Sequence, residues 1–183
     1  MMESHSQSPL RKEFTVNYQQ LMIKDLQDLY QAETEQASRL PQLAQQAANE
    51  PVRTALENHA RETEEQAARL RQILEMMGET PGGDGEVTPG VQGLVAEAQK
   101  KSALVQDPIL KDLTLIAAAQ KMEHYEIACY GTARAMARTA GMEEAARLLQ
   151  TSLDEEEATD RKLTDIALAF HKQAAQSIPE MAA

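Results

Sequence analysis

Apolar side chains recur every three or four residues through most of the chain, and four such stripes carry acids or amides where a core residue is expected. The run Ile109-Leu113-Ile116-Gln120-Glu123-Ile127-Tyr130 falls on one face of an α-helix, so Glu123 points inward with its apolar neighbours. Leu149-Leu153-Glu156-Asp160-Leu163-Ala167-Phe170 repeats the pattern with two carboxylates inside it, and Ile23-Leu26-Tyr30-Glu33-Ala37-Leu40-Ala44 repeats it with one. The fourth stripe, Val52-Leu56-His59-Thr63-Gln66-Leu70-Ile73-Met77, is polar at its middle and keeps Glu62 one step to the side. Four helices of this kind predict a bundle with acids at one depth. Unpaired buried carboxylates cost several kcal/mol each, on the order of a lost buried ion pair, so the acids need a common cation or shared protons.

Punctuation divides the stripes. Asn17 is a competent helix cap and opens a helix over about 17–48, with Pro41 inside it expected to cause a kink. Asn49-Glu50-Pro51 restarts the chain, and Gly78 stops the second helix after Met77. The glycine- and proline-dense segment 79–90 reads as a crossover, followed by a short amphipathic helix over 91–104 that carries the chain along the bundle. Asp107-Pro108 starts the third long helix and Gly141 ends it; the fourth covers about 142–176. Residues 1–16 read as a flexible arm, 17–176 as one domain and 177–183 as a tail. The fold expected is all-α: a four-helix bundle with a short extra helix in the crossover between its second and third long helices.

Charge and composition narrow the function classes. A net charge of -11 argues against direct nucleic-acid binding, which needs a basic surface. No apolar stretch is long enough to span a membrane, and the N-terminus lacks the pattern of a signal peptide. A single cysteine, Cys129, excludes an internal disulfide and suits a cytoplasmic location.

The candidate chemistry is carboxylate-rich metal binding. Glu156 and Asp160, spaced i and i+4, can serve one ion or two adjacent ions, while Glu155 and Glu157 of the same acidic run are assigned to solvent. Glu123 and Glu126 lie one turn apart, Glu126 on the flank of its stripe; Glu33 and Glu62 complete the candidate ligands, with Glu65 as the alternative to Glu62. His59, His124, Gln66, Tyr30 and Tyr130 are the groups expected to support them. Glu33 with Glu62 and Gln66, set against Glu123 with Glu156 and Asp160, suggests two helical hairpins related by a pseudo-twofold.

The stretches 115–132 and 153–165, with Lys24-Asp25-Leu26-Gln27-Asp28-Leu29-Tyr30-Gln31-Ala32-Glu33 and His59-Ala60-Arg61-Glu62-Thr63, resemble the YciE/YciF family of bacterial ferritin-like stress proteins. Glu123-His124-Tyr125-Glu126 also resembles the acid pair on the third helix of rubrerythrins. The resemblance implies a ferritin-like bundle, a di-iron carboxylate site matched by Glu33, Glu62, Glu123, Glu126 and Glu156, a homodimer and a role in stress. Two departures stand out: the second helix lacks the usual Glu-x-x-His, and Asp160 stands where histidine is common. Such a ligand set favours hard ions, iron or manganese. The expected function is therefore iron binding with ferroxidase activity, Glu123 and Glu62 bridging two ions and Glu33, Glu126, Glu156 and Asp160 terminal. The alternative is a non-enzymatic dimeric stress protein with a vestigial or structural site.

Overall fold

A computed structural model describes residues 16–82 and 87–176; the expected tail, and the arm apart from Val16, lie outside the described residues. Five helices follow one another: α1 (Tyr18–Gln46), α2 (Glu50–Met76), α3 (Pro89–Ser102), α4 (Pro108–Thr139) and α5 (Glu143–Ala175), with no strand among the described residues. Local chemistry sets their ends. Asn17 caps α1 by accepting from the Gln20 amide while the Gln20 side chain accepts from the Asn17 amide. One oxygen of Asp107 accepts from both Ile109 and Leu110 at the start of α4.

Gly78 and Gly141 end α2 and α4 at φ of 77° and 73°, a region costly for any residue with a Cβ. That turn lets Glu79 N donate to the Leu74 carbonyl and Met142 N to the Ala137 carbonyl, satisfying groups that a helix end leaves open. Pro41 is exposed within α1, which continues past it to Gln46. With the ring on the solvent side, water can reach the carbonyl it leaves without a donor.

Side-chain bonds give the topology. Gln36 reaches Glu126 and Glu33 meets Tyr130, so α1 and α4 run antiparallel; Glu62 with Thr159 and Arg69 with Ser152 set α2 antiparallel to α5. Within each hairpin the helices are also antiparallel, as Arg71 with Tyr30 and Arg53 with Ala47, and Gln120 with Thr164 and Arg134 with Gln150, show. Helices α2 and α4 therefore point the same way from opposite corners, and only a connection spanning the bundle can join them. Helix α3 lies in that connection. Its Val91 packs with Ala32 of α1 and Met122 of α4, and Thr88 Oγ1 is 3.0 Å from the Tyr125 hydroxyl.

Two apolar clusters fill the ends of the bundle. One gathers Met22, Leu26, Leu70, Ile73, Ala137 and Leu149; the other gathers Leu40, Val52, Leu56, Ile116 and Leu163. The polar layer lies between them along the chain. At the second end Asp112, fully buried on α4, clamps the α1–α2 turn: its two oxygens accept from Ala48 N, Asn49 N and Asn49 Nδ2 at 2.8, 2.8 and 2.9 Å. Asn49 thus gives its side chain to α4 and makes no side-chain cap bond to α2.

The buried faces depart from three of the expected stripes. On α4 the buried line is Asp112, Ile116, Ala119, Glu123, Glu126, Tyr130 and Ala133, whereas Ile109, Leu113, Gln120 and Ile127 are half-buried. Helix α4 packs against α1, α3 and α5 together, so its covered arc is wider than one stripe and centred elsewhere. On α1 the expected Leu26, Glu33, Leu40 and Ala44 are buried with Leu29 and Gln36 beside them, leaving Tyr30 half-buried; on α5 the expected Leu149, Leu153, Glu156 and Leu163 are buried with Ser152 and Thr159, leaving Asp160 at the edge. The α2 stripe is buried as expected from Val52 to Ile73.

Candidate metal centre

Each long helix presents polar side chains to the same level of the interior. From α1 come Glu33 and Gln36, from α2 His59, Thr63 and Gln66, from α4 Glu123, Glu126 and Tyr130, and from α5 Glu156. The four glutamates are 0% exposed and His59 is 2% exposed. Leucine and isoleucine one or two turns away on each helix drive the burial, and the acids are carried inward with them.

The ligand atoms converge in two groups. One atom each from His59, Glu123 and Glu156 lie within 4.8 Å of one another, and so do atoms from Glu33, Glu126 and Glu156. Oxygen and nitrogen ligands stand about 2.0–2.4 Å from a divalent ion, so atoms on opposite sides of one ion are separated by about that span. Glu156 belongs to both groups, so an ion at either could be held by it.

Few of these atoms have a protein partner. Tyr130 donates to Glu33 Oε1 at 2.5 Å, and the Gln36 amide donates to Glu126 Oε2. Glu33 Oε2, Glu126 Oε1, both oxygens of Glu123 and of Glu156, Thr63 Oγ1, Gln66 Oε1 and both nitrogens of His59 have none. Although His59 Nε2 is 2.9 Å from Glu123 Oε1, the two are not aligned for a hydrogen bond. Among the described residues only Arg134 Nε adds an unpaired buried side-chain atom elsewhere. A buried polar atom without a partner costs about 1–3 kcal/mol, so one layer holding nearly all of them is a strong local demand for a ligand.

The electrostatics express the same demand. Burial, helped by the charge on Glu156, pushes the Glu33 carboxyl up to about 8, and burial pushes Glu123 up to about 8 as well. Burial and the neighbouring Glu123 take Glu156 to about 9. Glu126 is held well above the usual range, first by burial and then by the charges of Glu33, Glu156 and Glu123. Burial and then the Glu33 charge also raise the Tyr130 hydroxyl well above its ordinary value. Without a cation the layer keeps protons; a cation would replace them.

The remaining candidates stand outside these two groups. Glu62 is half-buried between α2 and α5 and accepts from Thr159 Oγ1 at 3.1 Å. Asp160 accepts from Gln120 at 3.0 Å at the edge of α5, with exposed His124 3.6 Å away. Glu65 is exposed beside Arg69, and the Tyr30 hydroxyl accepts from Arg71 on the outside of the α1–α2 hairpin. Glu155 is a correction: rather than facing solvent alone, it takes two bonds from Arg69 and one from Gln66. Sequence reasoning did not single out Gln36 or Asp112. Gln36, three residues after Glu33 and one turn before Leu40, was legible from spacing; Asp112 depends on a contact between hairpins that no local pattern reveals.

A bundle of four long helices with a crossover between the second and third, and carboxylates meeting in its interior, defines the ferritin-like class. The chain belongs to the YciF family within it: residues 17–176 match the family described as Domain of unknown function (DUF892). It is 38% identical to Protein YciF of Escherichia coli (strain K12) over 148 residues, covering 81% of this chain and 89% of that protein. Among solved structures, the E. coli stress protein YciF superposes with a TM-score of 0.77 at 35% identity over 86% of this chain and 99% of that one. YcfI of Rhodopseudomonas palustris, provisionally described as a structural protein, superposes with a TM-score of 0.79 at 34% identity over 85% of this chain and 98% of that one.

Proposed function

We propose that the buried layer holds two metal ions and that the protein binds iron, oxidising Fe(II) at this site as part of a stress response. The observation that carries this reading is the convergence of two ligand groups on a shared Glu156, in a layer whose oxygens and imidazole nitrogens lack protein partners. Four buried carboxylates supply the charge of two divalent ions, and each leaves at least one oxygen unpaired. Bound iron would supply one-electron chemistry, each Fe(II) losing one electron as dioxygen or a peroxide is reduced.

The protein's own part is to bind, orient and exclude water. Tyr130 and Gln36 each hold one oxygen of a ligand carboxylate, leaving the other oxygen for an ion. The apolar clusters on either side keep bulk water from the layer. As ions enter, Glu33, Glu123 and Glu156 give up the protons that burial makes them retain. In this arrangement Glu156, common to both groups, would serve both ions in place of the expected Glu123 and Glu62, while Glu62 and Asp160 lie outside the two groups toward the surface.

Metal analysis of protein from iron- and manganese-supplemented medium tests the reading against a Glu123→Ala/Glu156→Ala variant. Two ions per chain in the wild type and a loss in the variant are expected; equal metal content rules the reading out. Turnover in an Fe(II) oxidation assay above the buffer rate then separates an oxidase from a binding protein. A second reading, a structural protein whose acids remain protonated, is favoured by the raised carboxyl pKa values and the internal bonds from Tyr130 and Gln36. It requires metal-free protein to be the stable form. We further propose a cytoplasmic homodimer, for which the exposed Tyr18 and Leu21 on α1 and Met76 on α2 offer apolar surface; light scattering reads the mass directly. No helix among the described residues is long and apolar enough to cross a membrane.

A further inference from the structure

The two ligand groups are chemically unequal. This inference rests on the reading that the layer holds two ions, and concerns which ion each position takes. One group contains an imidazole: His59 is almost fully buried on α2, neither nitrogen makes a hydrogen bond although Nε2 lies 2.9 Å from Glu123 Oε1, and it converges with Glu123 and Glu156. The other group is all carboxylate, from Glu33, Glu126 and Glu156.

The carboxylates also differ in freedom. No fixed donor holds either oxygen of Glu123, whose bond to Glu156 depends on a proton that an ion would displace, so it can offer one or two oxygens to an ion. Glu33 and Glu126 each have one oxygen engaged by Tyr130 or Gln36, which leaves each a single oxygen in a fixed direction. Spacing along the helices shows where the inequality arises. Glu33 and Gln36 have the same three-residue spacing on α1 as Glu123 and Glu126 on α4, so an amide replaces one acid of the pair. Gln36 therefore acts as a donor that positions Glu126, while the imidazole comes from His59 on α2 and the shared carboxylate from Glu156 on α5.

Ligand softness turns this inequality into selectivity. Imidazole nitrogen strengthens binding of Fe(II), Co(II) and Zn(II) relative to Mn(II), whereas an all-oxygen site removes that advantage and suits harder cations. We propose that the layer is a mixed-ion site: the His59, Glu123 and Glu156 position selects a borderline divalent cation, and the Glu33, Glu126 and Glu156 position takes a hard cation such as Mn(II).

The test uses full-length protein stripped of metal and supplied with one equivalent each of Zn(II) and Mn(II). One of each ion is expected to remain after gel filtration, with no imidazole-nitrogen coupling in the pulsed EPR of the bound Mn(II). His59→Gln should weaken Zn(II) binding by at least about tenfold, the scale of losing an interaction at a metal site, and leave Mn(II) in place. Glu126→Gln should do the reverse. Random distribution of the ions, nitrogen coupling to Mn(II), or equal weakening of both ions by each variant overturns the proposal while leaving the two-ion reading intact. Absence of either ion from the wild type overturns both. If circular dichroism shows that His59→Gln is unfolded, the wild-type partition and its nitrogen coupling decide the matter alone.

Discussion

Burial decides the behaviour of individual acids here. Glu33 and Glu123 rise from an ordinary 4.5 to about 8, and Glu156 to about 9, with burial the largest cause each time. Their folded values exceed their unfolded ones, so the stability gained by holding protons is complete below about pH 4.5 and is lost as pH rises through about 8 to 9. Metal-free protein should therefore lose stability between pH 5 and 9. Each retained proton steepens that fall by up to about 1.4 kcal/mol per pH unit. Urea unfolding in chelator measures the slope, which should be shallower in Glu123→Gln/Glu156→Gln, and a slope unchanged by those substitutions would refute the protonated layer. Tyr130→Phe removes the donor to Glu33 and should cost about 1–3 kcal/mol in the same assay, because it leaves a buried carboxyl oxygen unpaired.

At the level of helices, local chemistry carried most of the information. Asn17, Pro51, Gly78, Asp107 and Gly141 place the helix ends within about two residues of where they fall, since caps and left-handed glycines act over a single turn. The inward acids Glu33, Glu123 and Glu156 were legible because each interrupts an apolar stripe. The rotation of each face was not, because the covered arc depends on which neighbours pack against it. That is why Tyr30 and Asp160 read as central and Glu126 as flanking. A one-residue turn of about 100° moves a side chain from the layer to its edge.

The Asp112 clamp was likewise hidden, and it gives a sharp prediction at this level. Asp112→Ala removes the acceptor for three donors at the α1–α2 turn and should cost about 2–4 kcal/mol. Asp112→Asn, which keeps one carbonyl acceptor, should cost less; equal losses in thermal melts would show that the bonds contribute little.

For the whole molecule, the proposed ion binding would be coupled to folding, because all four long helices contribute to the layer. An ion that binds the folded chain alone stabilises it by about 2.7 kcal/mol at a concentration one hundred times its Kd. Calorimetry should accordingly show a melting temperature that rises with added Fe(II) or Mn(II) and returns to the metal-free value with chelator. A melting curve indifferent to confirmed loading would favour the structural reading.

The clamp at Asp112 has a reach beyond its own turn. It sits fourteen positions before Glu126, roughly 21 Å along one helix axis, and ties the start of α4 to the opposite hairpin. Sliding of the two hairpins past each other at that anchor would separate Gln36 from Glu126 and Tyr130 from Glu33 by the same amount. The carboxylate at one end of the rod thus acts as a vernier for the distant acidic layer, and if that layer holds the proposed ions its loss should be felt there as faster ion release.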